Sequence, residues 1–290
     1  MSAPIDLTPN IIRTTRTISS TSHSVVVHAF FVNTKDNTQP VAVKAIKFES
    51  TEEVTSATNR LTREAQIWLK LQHPNIVGFL GSCSFPHSRL GQSTAIVSEF
   101  CPNGCIMDYL EAHPEVMRIT LIAGIAQGLE YLHGKDIIHG DLTSANVLVK
   151  GDGVAAIGDF GRSKVVGRKG HTTMKKGTIR YSSPEAWAIG NTAALSRESD
   201  VYSFGVVSTE VLTGKLPFYT LPNDIQMQAH IREHKTMLSR ADYPEIEDRH
   251  WEILKPAWSY YAEERPLMSE LAPCFTELVN PVVTSVNSGS

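Results

Sequence analysis

Cysteine is scarce in this 290-residue chain, and the four present, Cys83, Cys101, Cys105 and Cys274, show no C-x-x-C spacing. They read as reduced structural thiols rather than as a zinc or disulfide framework. No apolar run approaches the roughly 20 residues needed to span a bilayer, and no charged-then-apolar start marks a secretory leader, so the expectation is a cytoplasmic protein without membrane insertion. Charge of one sign is not in excess either: 27 Lys and Arg face 30 Asp and Glu, for a formal net charge of −3 and a pI near 6.4. There is no bulk attraction for nucleic acid or an anionic membrane, and any phosphate chemistry has to come from a local site. No internal repeat is present. The last absence is local: the polar turn inside ISSTSHSVVVHA, residues 18 to 29, contains no glycine.

What is there is enough for a large core, with 41% hydrophobic residues in one large domain or two lobes. Val25 to Val32 and Pro40 to Phe48 are β-branched and aromatic runs on either side of NTKDNTQ, which predicts antiparallel strands. The S-x-x-E arrangement from Ser50 to Glu53 predicts the start of a helix with Leu61, Ala65, Trp68 and Leu69 on one face, ending before HPN at 73 to 75. Ile76 to Gly81 and Thr94 to Phe100 are further short apolar runs, and the turn CPNG at 101 to 104 marks a change of character. Beyond it, Val116 to His133 carries apolar residues at helical spacing, with Gly134 placed as a cap. The expected domain plan is a tail over 1–11, a first lobe over 12–100, a second over 101–279 and a tail over 280–290.

Four stretches carry chemistry, in this order: VAVK (41 to 44), HGDLTSANVL (139 to 148), IGDFG (157 to 161) and GTIRYSSPE (177 to 185). Each alone is weak, since a strand-end lysine usually snorkels to water and D-F-G is usually only a turn. Their order is informative. A lysine on an early strand, an acid five residues before an asparagine, and an acid in a following turn are what phosphoryl transfer needs: a cation for nucleotide phosphate, a carboxylate for the attacking hydroxyl, and hard oxygen ligands for Mg²⁺.

On these motifs the chain resembles a eukaryotic-type protein kinase domain, nearest the tyrosine-kinase-like serine/threonine group, over about residues 12 to 278. The resemblance implies an α+β fold of two lobes, an antiparallel sheet with one helix followed by a mainly helical lobe, with ATP between them and a protein substrate. It implies that Lys44 holds the α and β phosphates and pairs with Glu64, that Asp141 is the catalytic base, and that Asn146 and Asp159 bind Mg²⁺. The adenine would meet the hinge from Glu99 to Cys101, behind which stands Ser98, and would lie between Val26, Ala42 and Leu148. Asp200, Glu185, Arg265 and His139 are expected to be structural.

The chain departs from the family in three places. Aligning V-x-x-A at 26 to 29 puts Ser19, Thr21 and Ser24 where the phosphate-covering loop has glycine, whose freedom lets backbone N–H groups approach phosphate closely. Gly140 replaces the arginine of H-R-D that receives an activation-loop phosphate, leaving Lys169, Lys175, Lys176 and Arg180 as other candidates or as a solvated basic segment. Thr143 and Ala145 stand where serine/threonine kinases carry a lysine and tyrosine kinases an arginine, so a cation facing the transferred phosphoryl group is missing. The complete ionic set favours an active kinase. The departures favour a pseudokinase, a nucleotide-binding or scaffolding module, and a kinase-fold enzyme acting on small molecules is the third possibility.

Overall fold

The computed structural model describes residues 4–21, 24–32, 37–47, 51–87, 91–167, 179–187, 195–235 and 238–280. Its first part is a five-stranded antiparallel sheet of β1 (Ile11–Ser20), β2 (Ser24–Val32), β3 (Thr38–Ile46), β4 (Phe79–His87) and β5 (Gly91–Glu99), in the order β1-β2-β3-β5-β4. Period-two alternation sorts its side chains. Val27, Ala29, Val41, Val43 and Ala45 are buried in one small core with Ala95 and Val97, so Val26, Ala42 and Lys44 fall on the opposite face. The strand register sets Ser19 opposite Val26, and Val26 opposite Lys44.

Across that face lies α1 (Thr51–Trp68), held by Leu61, Ala65 and Trp68. Leu69, expected on the same face, is one residue past the helix and exposed. Ser50, expected as its cap, lies outside the described residues. β4 runs well beyond the apolar stretch that signalled it, because Ser82, Ser84 and Pro86 sit on an edge strand, where polar side chains and a missing N–H are tolerated. The described part of the expected 1–11 tail is attached to this edge: Leu7 N donates to Ser82 O at 2.7 Å, Ser82 N donates to Ile5 O at 2.9 Å, and Leu7 is buried.

The second part is mainly helical: α2 (Ile106–Ala112), α3 (Arg118–Gly134), α4 (Arg197–Thr213), α5 (Asp224–His234), α6 (Asp248–Leu254) and α7 (Met268–Val279), with the short pairs β6 (Ile137–Ile138) with β9 (Lys164–Val165) and β7 (Val147–Val149) with β8 (Ala155–Ile157). Gly134 is the last residue of α3 rather than its cap. The left-handed turn falls two residues later on Asp136 (φ +58°), a residue type whose short polar side chain tolerates that region. Buried from Ser199 to Val211, α4 threads the larger core, opened by a Ser196/Ser199 capping box and closed by Gly214 at φ +73°. This central helix also carries the buried Asp200 into the loop that precedes β7.

Candidate active site

Lys44 ends up between two acids that are distant in sequence. Its Nζ donates to Glu64 Oε1 at 2.9 Å and to Asp159 Oδ1 at 2.6 Å, bringing β3, α1 and the D-F-G turn to one point. Glu64 is 4% exposed and Lys44 18%. Burial opposes the ammonium charge, but the two carboxylates outweigh it and hold the Lys44 pKa above its ordinary value. Lys44 is therefore charged throughout the physiological range.

Asp159 can stand there because its backbone adopts φ +58°, which turns the following Phe160 inward. Phe160 packs on Trp68 of α1 and edge-on to His139, with ring centroids 5.1 and 5.5 Å away. His139 is fully buried, and its Nε2 lies 3.0 Å from the Gly158 carbonyl, so it packs the core as expected.

Asp200 organises the loop around His139. Its Oδ2 accepts from His139 N and its Oδ1 from Gly140 N, both at 2.8 Å, while His133 Nε2 lies 3.0 Å from Oδ2. With its backbone pinned, the loop presents Asp141, and Asn146 Nδ2 donates to the Asp141 carbonyl at 2.6 Å. That bond fixes the Asn146 amide with its oxygen, a hard ligand, at the other end. Farther out, the buried Arg265 grips the half-buried Glu185 through both Nη atoms at 2.7 and 2.9 Å, a bidentate pair that ties the S-P-E stretch to the body of the lobe.

The remaining predicted residues occupy the rim. Glu99 is placed by its own N donating to Gly78 O at 2.8 Å, and its side chain accepts from Gly78 N and Lys150 Nζ, each at 3.0 Å. Cys101 follows it, buried, and burial pushes its thiol up to about 12. Ser98 is buried behind the hinge, and Leu148 is half-buried on β7. Val26 and Ala42 share the Lys44 face of the sheet.

Ser19, Thr21 and Ser24 do not converge on Lys44 through their hydroxyls. Thr21 Oγ1 accepts from Ser24 N at 3.1 Å and lies 3.1 Å from Ser24 Oγ, and Thr21 N donates to Ser24 O at 2.9 Å, so the glycine-free turn is closed by its own side chains. Lys47 Nζ clasps it from below, donating to Ser20 Oγ and Thr21 O at 2.7 Å each.

Two features were missed by reading the sequence. Lys47 was one, with only its place three residues after Lys44 to signal it. Arg162, directly after D-F-G, was the other: its Nη1 donates to Asp141 Oδ1 at 3.2 Å in a pair almost wholly out of water. Arg180, a candidate phosphate receiver, is instead engaged with the carbonyls of Pro217, Phe218 and Leu221 and with Asp224. Lys169, Lys175 and Lys176 lie outside the described residues, as do Thr172, Thr173 and Thr178.

The family model for protein tyrosine and serine/threonine kinase matches residues 12–275. Serine/threonine-protein kinase STY46 of Arabidopsis thaliana is 30% identical over 249 residues, which cover 84% of this chain and 41% of that protein. Tyrosine-protein kinase SRK3 of Spongilla lacustris is 31% identical over 81% of this chain and 68% of its own length, and mitogen-activated protein kinase kinase kinase 12 of Rattus norvegicus is 38% identical over 51% and 16%. The chain spans about two fifths of the plant kinase it matches. With the family model covering nearly the whole chain and the two lobes in place, this chain belongs to the protein tyrosine and serine/threonine kinase family.

Proposed function

We propose that the chain is an ATP- and Mg²⁺-dependent protein kinase that transfers the γ-phosphoryl group to a Ser or Thr hydroxyl of a protein substrate. The observation that carries this reading is Lys44 bonded at once to Glu64 and Asp159, the alignment that activity in this family requires. Names of relatives such as STY46 support Ser/Thr as acceptor.

Lys44 neutralises the α and β phosphates, and Glu64 holds it in place. The hinge from Glu99 to Cys101 takes the adenine edge, with Val26, Ala42 and Leu148 on its faces. Ser19, Thr21 and Ser24 cover the phosphates less closely than glycines would. The donors present fit a metal: Asp159 offers carboxylate oxygen and Asn146 an amide oxygen. Among the described residues no three His, Cys, Asp or Glu side chains form a cage, so Asp159 and Asn146 would hold a hard cation such as Mg²⁺ together with a phosphate-bearing ligand. When bound, that ion neutralises charge on the phosphates. Asp141 accepts the proton of the acceptor hydroxyl, and the Asp200 anchor keeps its loop still while it does so.

None of the four cysteines is in a disulfide, and no helix among the described residues is long and apolar enough to cross a membrane. We place the protein in the cytoplasm on the thiols and on its need for ATP.

The test is labelled phosphate transfer from Mg-ATP to casein by the purified chain, beside Asp141→Asn and Asp159→Asn. The parent should transfer to Ser or Thr, and loss of the base should lower turnover about 10²- to 10⁴-fold with the fold intact. Mg-nucleotide binding without transfer would favour the pseudokinase reading, and transfer undiminished in both variants would trace the label to a contaminant.

A further inference from the structure

Arg162 is unusual for where it is and for what it leaves unused. Its side chain is 7% exposed and that of Asp141 3%, so the attraction between them is little screened by water. A guanidinium carries five N–H donors, and here the Nε is buried with no hydrogen-bond partner among the described residues. Arg162 lines one small cavity together with Gly140, Asp141 and Thr143.

Gly140 packs against the backbone of the same residue: it sits at φ +75°, and a Cβ there would stand 3.1 Å from the Arg162 carbonyl oxygen and 3.0 Å from Leu195 Cδ1. Gly140 and Thr143, two of the positions that depart from the family, line the same cavity as the Arg162–Asp141 pair.

We propose that Arg162 is the positioning residue of Asp141 and supplies, at the acceptor end of the site, the positive charge that Thr143 and Ala145 lack. The proposal rests on the protein-kinase reading above. In the transfer, the acceptor oxygen forms a bond to the γ-phosphorus and the bond from that phosphorus to the bridging oxygen breaks. The electron pair leaves with ADP, and the hydroxyl proton passes to Asp141. Arg162 exchanges no proton. It holds the carboxylate in one orientation and keeps a fixed positive charge at this end of the site, which arginine does while remaining charged at every working pH.

The experiment compares the full chain with Arg162→Ala, Arg162→Lys and the double variant Arg162→Ala/Thr143→Lys, in transfer from Mg-ATP to casein, with Mg-ADP affinity by calorimetry as the control for a folded site. Arg162→Ala should lower kcat about 10²-fold or more, the usual loss for one charge-stabilising donor, with KM for ATP and Mg-ADP affinity within about twofold. Arg162→Lys should lose less. Thr143→Lys, placed in the Arg162→Ala background, should recover at least about tenfold, because it returns a cation to the cavity that Asp141 and Thr143 both line.

A kcat for Arg162→Ala within about threefold of the parent overturns the proposal. So does a folded double variant with no recovery, since a packing role would not respond to a lysine at 143. Should Arg162→Ala fail to fold, Arg162→Lys and the double variant carry the comparison. A parent that transfers nothing to casein or to itself overturns the kinase reading and this role with it. That failure is distinguishable, because parent and variants are then equally silent.

Discussion

Lys44 bridges two carboxylates, one of them deeply buried, so removing it should be felt by the fold before any substrate is added. In Lys44→Met, Glu64 stays 4% exposed and loses the ammonium 2.9 Å away, while Asp159, more open to water at 27%, loses its partner at 2.6 Å. Breaking a buried pair from one side typically costs about 3–5 kcal/mol, because the remaining charge is left uncompensated. For a domain of this size each kcal/mol is worth about 2–4 °C, so melting should fall by on the order of 10 °C. The double variant Lys44→Met/Glu64→Leu behaves differently. Replacing both ends by apolar side chains removes the stranded charge, and such exchanges are often neutral, so most of the lost stability should return while Mg-ATP binding and transfer stay absent. Thermal melts of parent, single and double variants by circular dichroism, with calorimetric titration of Mg-ATP, measure both quantities. If the single variant melts within 2–3 °C of the parent, or the double melts no higher than the single, the pair is not the buried electrostatic contact argued here.

The turn from Ser19 to Ser24 offers a second test: replacing Ser19, Thr21 and Ser24 by glycine removes the Thr21–Ser24 closure and should raise Mg-ATP affinity or turnover, despite the added entropy of the free loop. Unchanged or weaker binding in calorimetry, with no gain in rate, would show that this turn does not limit the site. Glu210 on α4 is a third: burial raises its carboxyl pKa against the lowering effect of hydrogen bonds from Ser144 and Tyr181. The folded protein then keeps a proton that the unfolded chain releases just above its ordinary 4.5, so this group's stabilisation is complete below that value and is lost as pH rises through the folded pKa. Glu210→Gln should therefore flatten the decline in melting temperature between about pH 5 and 8, and identical slopes for parent and variant would sink that account.

Alternating residues such as Val41, Ala42, Val43, Lys44 and Ala45 already announce a strand with Lys44 on the face away from its own core, and the ordered appearance of VAVK, HGD, N and D-F-G announces the family. These are local patterns, written in side-chain period and in motif spacing, and they survive whatever the rest of the chain does. Edge strand β4 was harder to see, because its polar alternation carries little apolar signal, and Leu7 gave no local sign that it would pack beside it. The meeting of Lys44 with Asp159, 115 residues further on, was implied by the family resemblance and required β3, α1 and the D-F-G turn to pack as they do. Only the tertiary structure decided that Thr21 and Ser24 would satisfy one another, that Lys47 would clasp their turn, and that Arg162 would reach Asp141. The physical reason is common to all three. A hydroxyl, an ammonium or a guanidinium has many partners within reach of its own flexible side chain, and which one it meets is settled by the packing of the elements that carry it, not by its neighbours in sequence.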